Sequence, residues 1–138
     1  MNNTIALEKK INSELGTKVK STKINHQQIY ISINSNDLTD VMMFLKTNPK
    51  LKFKQLIDIT AVDYPSEEKR FKIVYFLLSH EFNQRVIIQS SINENEKIES
   101  LTNVFPSANW MEREVFDMYG ISFKNHPDLR RILTDYNF

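Results

Sequence analysis

The sequence predicts an α+β domain of two layers: a mixed or antiparallel sheet with helices packed mainly on one face. Two observations lead there. Strand-like runs at 28–33, 70–79 and 84–92 sit beside other strand candidates through short links, which favours hairpins over β-α-β crossovers. The helical stretches lie at the start, the middle and the end, so they do not alternate regularly with strands. A length of 138 residues suits one domain with a real core.

The elements follow in order. Residues 4–15 form a short amphipathic helix, with Ile5, Leu7, Ile11 and Leu15 on or near one face and Gly16 just past its end. Strand runs at 18–24 and 28–33 flank a turn at Asn25, His26 and Gln27. In the second run, Ile29, Ile31 and Ile33 alternate with Tyr30 and Ser32, so one face turns inward. Ser35, Asn36 and Asp37 offer N-cap oxygens to a helix at 38–47, whose stripe is Val41, Met42, Phe44 and Leu45 and which Pro49 ends.

Three more strands are expected at 53–62, 70–79 and 84–92. The run Val74 to Leu78 is apolar on both faces, which suits a central strand covered on both sides or an interface strand. Residues 94–104 read as a helix broken by Pro106, and Ser107 precedes a further helix at 108–119 that Gly120 stops. Beyond Gly120 the periodicity fades into an apolar and basic tail without regular structure. The expected organisation is a core domain at 1–121 and an extended docking segment at 122–138.

Composition excludes several kinds of function. Hydrophobic residues make up 41% and charged residues 25%, ordinary values for a folded domain. A net charge of +1 lacks the basic excess of a nucleic-acid binder, so no nucleic-acid partner is expected. The absence of cysteine excludes disulfides, thiol catalysis and Cys-held zinc or iron–sulfur clusters. Two glycines are too few for dinucleotide or phosphate-loop fingerprints. No apolar run approaches the roughly 20 residues of a membrane-spanning helix, and residues 1–10 resemble no targeting signal. The chain is expected in the cytosol or on the inner face of a membrane.

Chemistry-bearing residues are sparse. His26 and His80 fall in turns, and His126 has only Asp128 close by, so no metal site is expected. Ser90 and Ser91 lack a nucleophile elbow. Glu112 and Glu114 point about 200° apart on a helix, which makes them a poor acid–base pair. On that helix, Met111, Val115 and Met118 gather with Phe116 and Tyr119. Arg113, Glu114 and Asp117 gather opposite with Trp110, and Arg113 and Asp117 are spaced to pair. Glu112 projects on the apolar side. Either it finds a cation, with Arg130 or Arg131 as candidates, or it protonates, or the helix rotates and it meets solvent at an edge.

The segment from Glu112 to Leu133 carries the strongest signal. A helix stops at Gly120, and an extended strap follows with a rigid His126-Pro127 corner, the arginines Arg130 and Arg131, and the apolar anchors Phe123, Leu129, Ile132 and Leu133. Such a strap either docks on a partner or closes its own domain's core.

Glu112-Arg113-Glu114, Asp117, Tyr119-Gly120, Phe123, His126-Pro127 and Leu129-Arg130-Arg131-Ile132-Leu133 together resemble the signature of the thirty-kilodalton subunit family of respiratory complex I. In bacterial NADH:quinone oxidoreductase that polypeptide is the C subunit. The likeness runs well from about Phe53 to Phe138 and covers the N-terminal third only in element order. Where many members carry glycine after the Asp-Tyr pair and a longer basic tail, Asn137 stands here and the sequence ends at Phe138, so contacts of that tail are not carried over.

The resemblance implies a peripheral-arm scaffold subunit on the cytoplasmic side of the bacterial inner membrane, with no active site, cofactor or small-molecule substrate of its own. FMN and the iron–sulfur clusters would sit in partner subunits. The neighbours would be the forty-nine-kilodalton-type polypeptide, which is the D subunit in bacteria, and the cluster-bearing subunits. A scaffold subunit of a related membrane-bound hydrogenase-type complex is the nearest alternative. A free-standing small ligand-binding domain is the other.

Overall fold

The structure is a computed structural model and describes residues 2–127. Helix α1 (Asn2–Leu15) leads into a hairpin of β1 (Val19–Asn25) and β2 (Gln28–Ile33). Helix α2 (Leu38–Thr47) follows, then a meander of β3 (Gln55–Asp63), β4 (Phe71–Ser79) and β5 (Gln84–Ile92). A two-residue strand β6 (Ile98–Glu99), helix α3 (Ala108–Tyr119) and a second two-residue strand β7 (Phe123–Lys124) complete the described chain.

The main sheet has the order β1-β2-β5-β4-β3. All neighbours are antiparallel except β2 and β5, which run parallel with Ile29 opposite Val86 and Ile31 opposite Ile88. The two outer strands are thus β1 and β3. The parallel seam follows from the connection: β2 is left through α2, which carries the chain to the far edge at β3, and the meander then returns to β2's open side.

Alternation sorts the sheet into two faces. Ile29, Ile31, Ile33, Phe71, Ile73, Tyr75, Leu77, Val86 and Ile88 join one buried cluster with Leu7, Ile11 and Leu15 of α1, Leu38, Val41, Met42 and Leu45 of α2, and Ala108 and Val115 of α3. Burying each such aliphatic side chain stabilises the fold by about 1.5–3 kcal/mol before entropy is counted. Val74 and Ile87 are buried too but lie outside this cluster, on the opposite face. The described helices therefore cover one side only. Among the described residues no helix is long and apolar enough to cross a membrane.

Three local details depart from the sequence reading. Ile5, expected on the stripe of α1, is exposed. The turn between β1 and β2 uses only His26 and Gln27, both with positive φ (52° and 66°), the backbone that matches the twist of a tight hairpin. Ser35 does not cap α2: its hydroxyl donates to Glu96 at 2.8 Å, and residues Ser35–Asp37 form a 3-10 turn instead. At the β3–β4 end, Arg70 grips Asp63 through two bonds of 2.7 and 2.9 Å and reaches Glu94 at 2.7 Å. The Arg70 hydrogen bond holds the Asp63 carboxyl below its ordinary range.

The largest correction concerns residues 94–104, read as a helix. No α-helix forms there. The backbone donors a helix would use are taken by distant partners: Ile98 N–H by the Ser122 carbonyl, Ser100 N–H by the Lys124 carbonyl, and Leu101 N–H by the Glu112 carboxylate. The tail is corrected with it. Phe123 and Lys124 pair in parallel with Ile98 and Glu99, so the first part of the strap has regular structure.

Candidate functional site

Helix α3 packs with Ala108, Glu112 and Val115 buried and Met111 and Tyr119 partly buried, a stripe at i, i+4, i+7 and i+11. Met118, expected on the apolar side, is 74% exposed, and Trp110 stands out in solvent as expected. The stripe is therefore centred on Glu112, which has no solvent exposure at all. The solvated-edge alternative does not apply.

Every oxygen of that carboxylate is used. The Ser100 hydroxyl donates to Oε1 at 2.6 Å, and the Leu101 N–H donates to Oε2 at 2.8 Å. Since the Ser100 proton is spent on Glu112, Ser100 Oγ serves as acceptor for the Thr102 N–H at 3.2 Å and for the Thr102 hydroxyl at 3.1 Å. One carboxylate thus fixes the turn at 100–102. Burial pushes the Glu112 pKa up to about 7; the bonds from Ser100 and Leu101 pull it down, and the charge of Glu99 pushes it up again. Tyr75 of β4 is buried beside it, and its phenol is driven well above its ordinary value by burial and then by the Glu112 charge.

The strap starts against this turn. Gly120 closes α3 with φ +73° and donates its N–H to the Phe116 carbonyl at 2.8 Å, and Ile121 and Phe123 are buried. Asn125 reaches the Glu99 carboxylate at 2.7 Å. The His126 ring is buried, with Nε2 3.0 Å from the Asn109 carbonyl and 3.8 Å from Glu112 Oε1. A carbonyl only accepts, so Nε2 carries the proton and lies between these two oxygens. The left-handed backbone at Gly120 is unfavourable for any residue with a Cβ. Gly120→Ala is expected to lower stability by about 1 kcal/mol in a denaturant melt, since the new methyl meets no atom within 4 Å and only the backbone strain remains.

The other predicted residues sort themselves by position. Arg113 does not pair with Asp117; its guanidinium lies over the Trp110 ring at 5.6 Å, with Nε buried and without a hydrogen-bond partner among the described residues. Glu114 is exposed, Asp117 is half-buried and Pro127 is exposed. Leu129, Arg130 and Arg131 lie outside the described residues, and with them the proposed arginine partners of Glu112. The sequence pattern misses Ser100, Leu101 and Asn109. A false helix hides the turn, and backbone groups leave no trace in a pattern of side chains.

A buried carboxylate, a pinned turn and a two-strand ladder make a structural clasp, which fastens the start of the strap to α3 and the core. The chain belongs to the family described as "Respiratory-chain NADH dehydrogenase, 30 Kd subunit", whose match spans residues 31–138. It is 44% identical over 128 residues to the C subunit of the NADH-quinone oxidoreductase of Chelativorans sp. (strain BNC1), covering 93% of this chain and 64% of that protein. The protein of the same name from Ruegeria pomeroyi is 47% identical, with 91% and 66% covered. The NADH dehydrogenase [ubiquinone] iron-sulfur protein 3 of Beta trigyna is 53% identical over 105 residues, with 76% and 55% covered. The chain thus spans 55–66% of the length of these curated relatives.

Among solved structures, a trypsin-resistant fragment of Nqo5 superposes with a TM-score of 0.77 at 25% identity, over 89% of this chain and 98% of that one. A chain of the membrane-bound sulfane sulfur reductase, an archaeal respiratory membrane complex, gives a TM-score of 0.80 at 19% identity, over 94% and 75%, and shares the fold.

Proposed function

We propose that this chain is a non-catalytic, peripheral-arm subunit of a proton-translocating NADH:quinone oxidoreductase. It works by shape and grip: it holds its neighbours in register while electrons pass from NADH through FMN and iron–sulfur clusters to quinone. The neighbours are the forty-nine-kilodalton-type polypeptide, the bacterial D subunit, and the cluster-bearing subunits. As part of that complex the chain sits on the cytoplasmic side of the bacterial inner membrane, tied to the membrane through its partners.

The observation that carries this reading is the way the signature residues are spent. Glu112, Gly120, Phe123 and His126 are buried or engaged in fastening the start of the strap to α3 and the turn at 100–102. Family membership supports placing the chain in such a complex. Although one relative is named an iron–sulfur protein, this chain has no cysteine to hold a cluster, which supports placing the clusters in partners.

The role assigned to the strap is tested through its arginines. Arg130→Ala with Arg131→Ala, in a host lacking its own copy, is expected to lower both the yield of assembled complex and NADH oxidation by membranes about tenfold, by removing charge-assisted hydrogen bonds at a docked surface. Unchanged yield and unchanged oxidation would contradict it.

A further inference from the structure

The clasp, with the described start of the strap, belongs to the helix side. The other face of the sheet has its own pattern. Register places Lys23, Tyr30, Ile87, Phe76 and Asp58 in one row across β1, β2, β5, β4 and β3. The next row reads Ser21, Ser32, Gln89, Val74 and Thr60. The rows carry Lys23 and hydroxyls toward β1, the apolar Ile87, Phe76 and Val74 in the middle, and Asp58 and Thr60 on β3.

Two shallow grooves follow this division. One, of about 360 Å³, is lined by Lys23 and Lys72 together with hydroxyls and amides and contains no carboxylate. The other, of about 210 Å³, is lined by Ile57, Phe76 and Ile87 together with Asp58 and Arg85. Ile57 is 39% and Val62 40% exposed on this side, an apolar surface that no described helix covers. Asp58 spends one oxygen on the Ile59 N–H.

We propose that this helix-free face is a second docking surface, and that it takes a segment of another protein subunit with apolar side chains at one end and carboxylates at the other. The proposal rests on the reading of the chain as a subunit and names the partner chemistry of a surface apart from the clasp. Charge complementarity selects the occupant. Among the described residues lining the two grooves, Lys23, Lys72 and Arg85 stand against one acid, Asp58, and favour carboxylates over cations. A second copy of this chain would offer those cations only Asp58 from the described lining residues. A nucleic acid would leave the apolar half unused. The strap itself sets out from the opposite layer, at His126 beside α3.

The test uses the assembled complex. A photo-crosslinking residue at position 23 or at position 57 is expected to capture one and the same other subunit, near carboxylates from 23 and near apolar residues from 57. Lys23→Glu with Lys72→Glu is expected to lower recovery of that subunit about tenfold, more at low salt than at high salt. Lys50→Glu, an exposed change away from this face, leaves recovery intact. Crosslinks only to a second copy or to lipid, or unaltered recovery with the double reversal, would overturn the proposal while the wild-type chain still assembles. Failure of the wild-type chain to assemble would instead overturn the subunit reading itself, and this proposal with it.

Discussion

Glu112→Ala is expected to cost about 3 kcal/mol of unfolding free energy at pH 5, because two buried donors lose their acceptor and a cavity opens beneath α3. The donors are the Ser100 hydroxyl and the Leu101 N–H. Glu112→Gln is the sharper probe, since it keeps the shape and removes the charge. The Glu112 pKa rises from its ordinary 4.5 to about 7 on folding. Between those values the folded chain holds a proton that the unfolded chain has released. The stabilisation is therefore complete below pH 4.5 and is lost as pH climbs through 7.

At about 1.4 kcal/mol per unit, wild type forfeits about 3 kcal/mol across that window. Urea melts at pH 5 and pH 8 check this: the gap between wild type and Glu112→Gln should shift by about 2–3 kcal/mol in favour of the variant at the higher pH. A gap that stays constant would mean that burial does not govern this carboxylate.

Phe123→Ala is the second large effect. Truncating a buried phenylalanine costs about 3–5 kcal/mol where the whole fold must absorb it. Here the side chain belongs to a two-residue strand near the end of the described chain, so the loss should fall on that segment first. The amides of Ile98 and Ser100, bonded to the Ser122 and Lys124 carbonyls, should lose hydrogen-exchange protection, while amides in β4 and α2 keep theirs. With the strap's first anchor gone, assembly of the complex should fall as well. Protection retained at Ile98 and Ser100 would show that the ladder does not depend on Phe123.

Much of the fold is legible where the pattern is local. The alternation of Ile29, Ile31 and Ile33 gives β2 its bounds, and Gly120 gives α3 its end, because strand pleat and the left-handed stop are properties of a few neighbouring residues. The strand order is not legible: the parallel seam between β2 and β5 joins residues far apart in the chain, such as Ile29 and Val86, and no local pattern encodes it. The false helix at 94–104 fails for the same reason, since its donors are claimed from Ser122, Lys124 and Glu112. At the site, the apolar-side placement of Glu112 is readable from helical spacing. Its partners are not, being a hydroxyl and a backbone amide across a turn. Met118 escapes the pattern because the stripe on α3 turns toward Glu112 and away from the more hydrophobic side.

On the proposed function, this polypeptide acts only within a larger redox assembly. Affinity capture of the tagged full-length chain from gently solubilised membranes of its own host, with every companion identified, tests it most directly. The expected result is co-purification of the NADH:quinone oxidoreductase subunits, the forty-nine-kilodalton-type polypeptide among them, in a preparation that oxidises NADH. Recovery of the chain alone, free of those subunits and turning over a substrate or carrying a flavin by itself, would contradict the account.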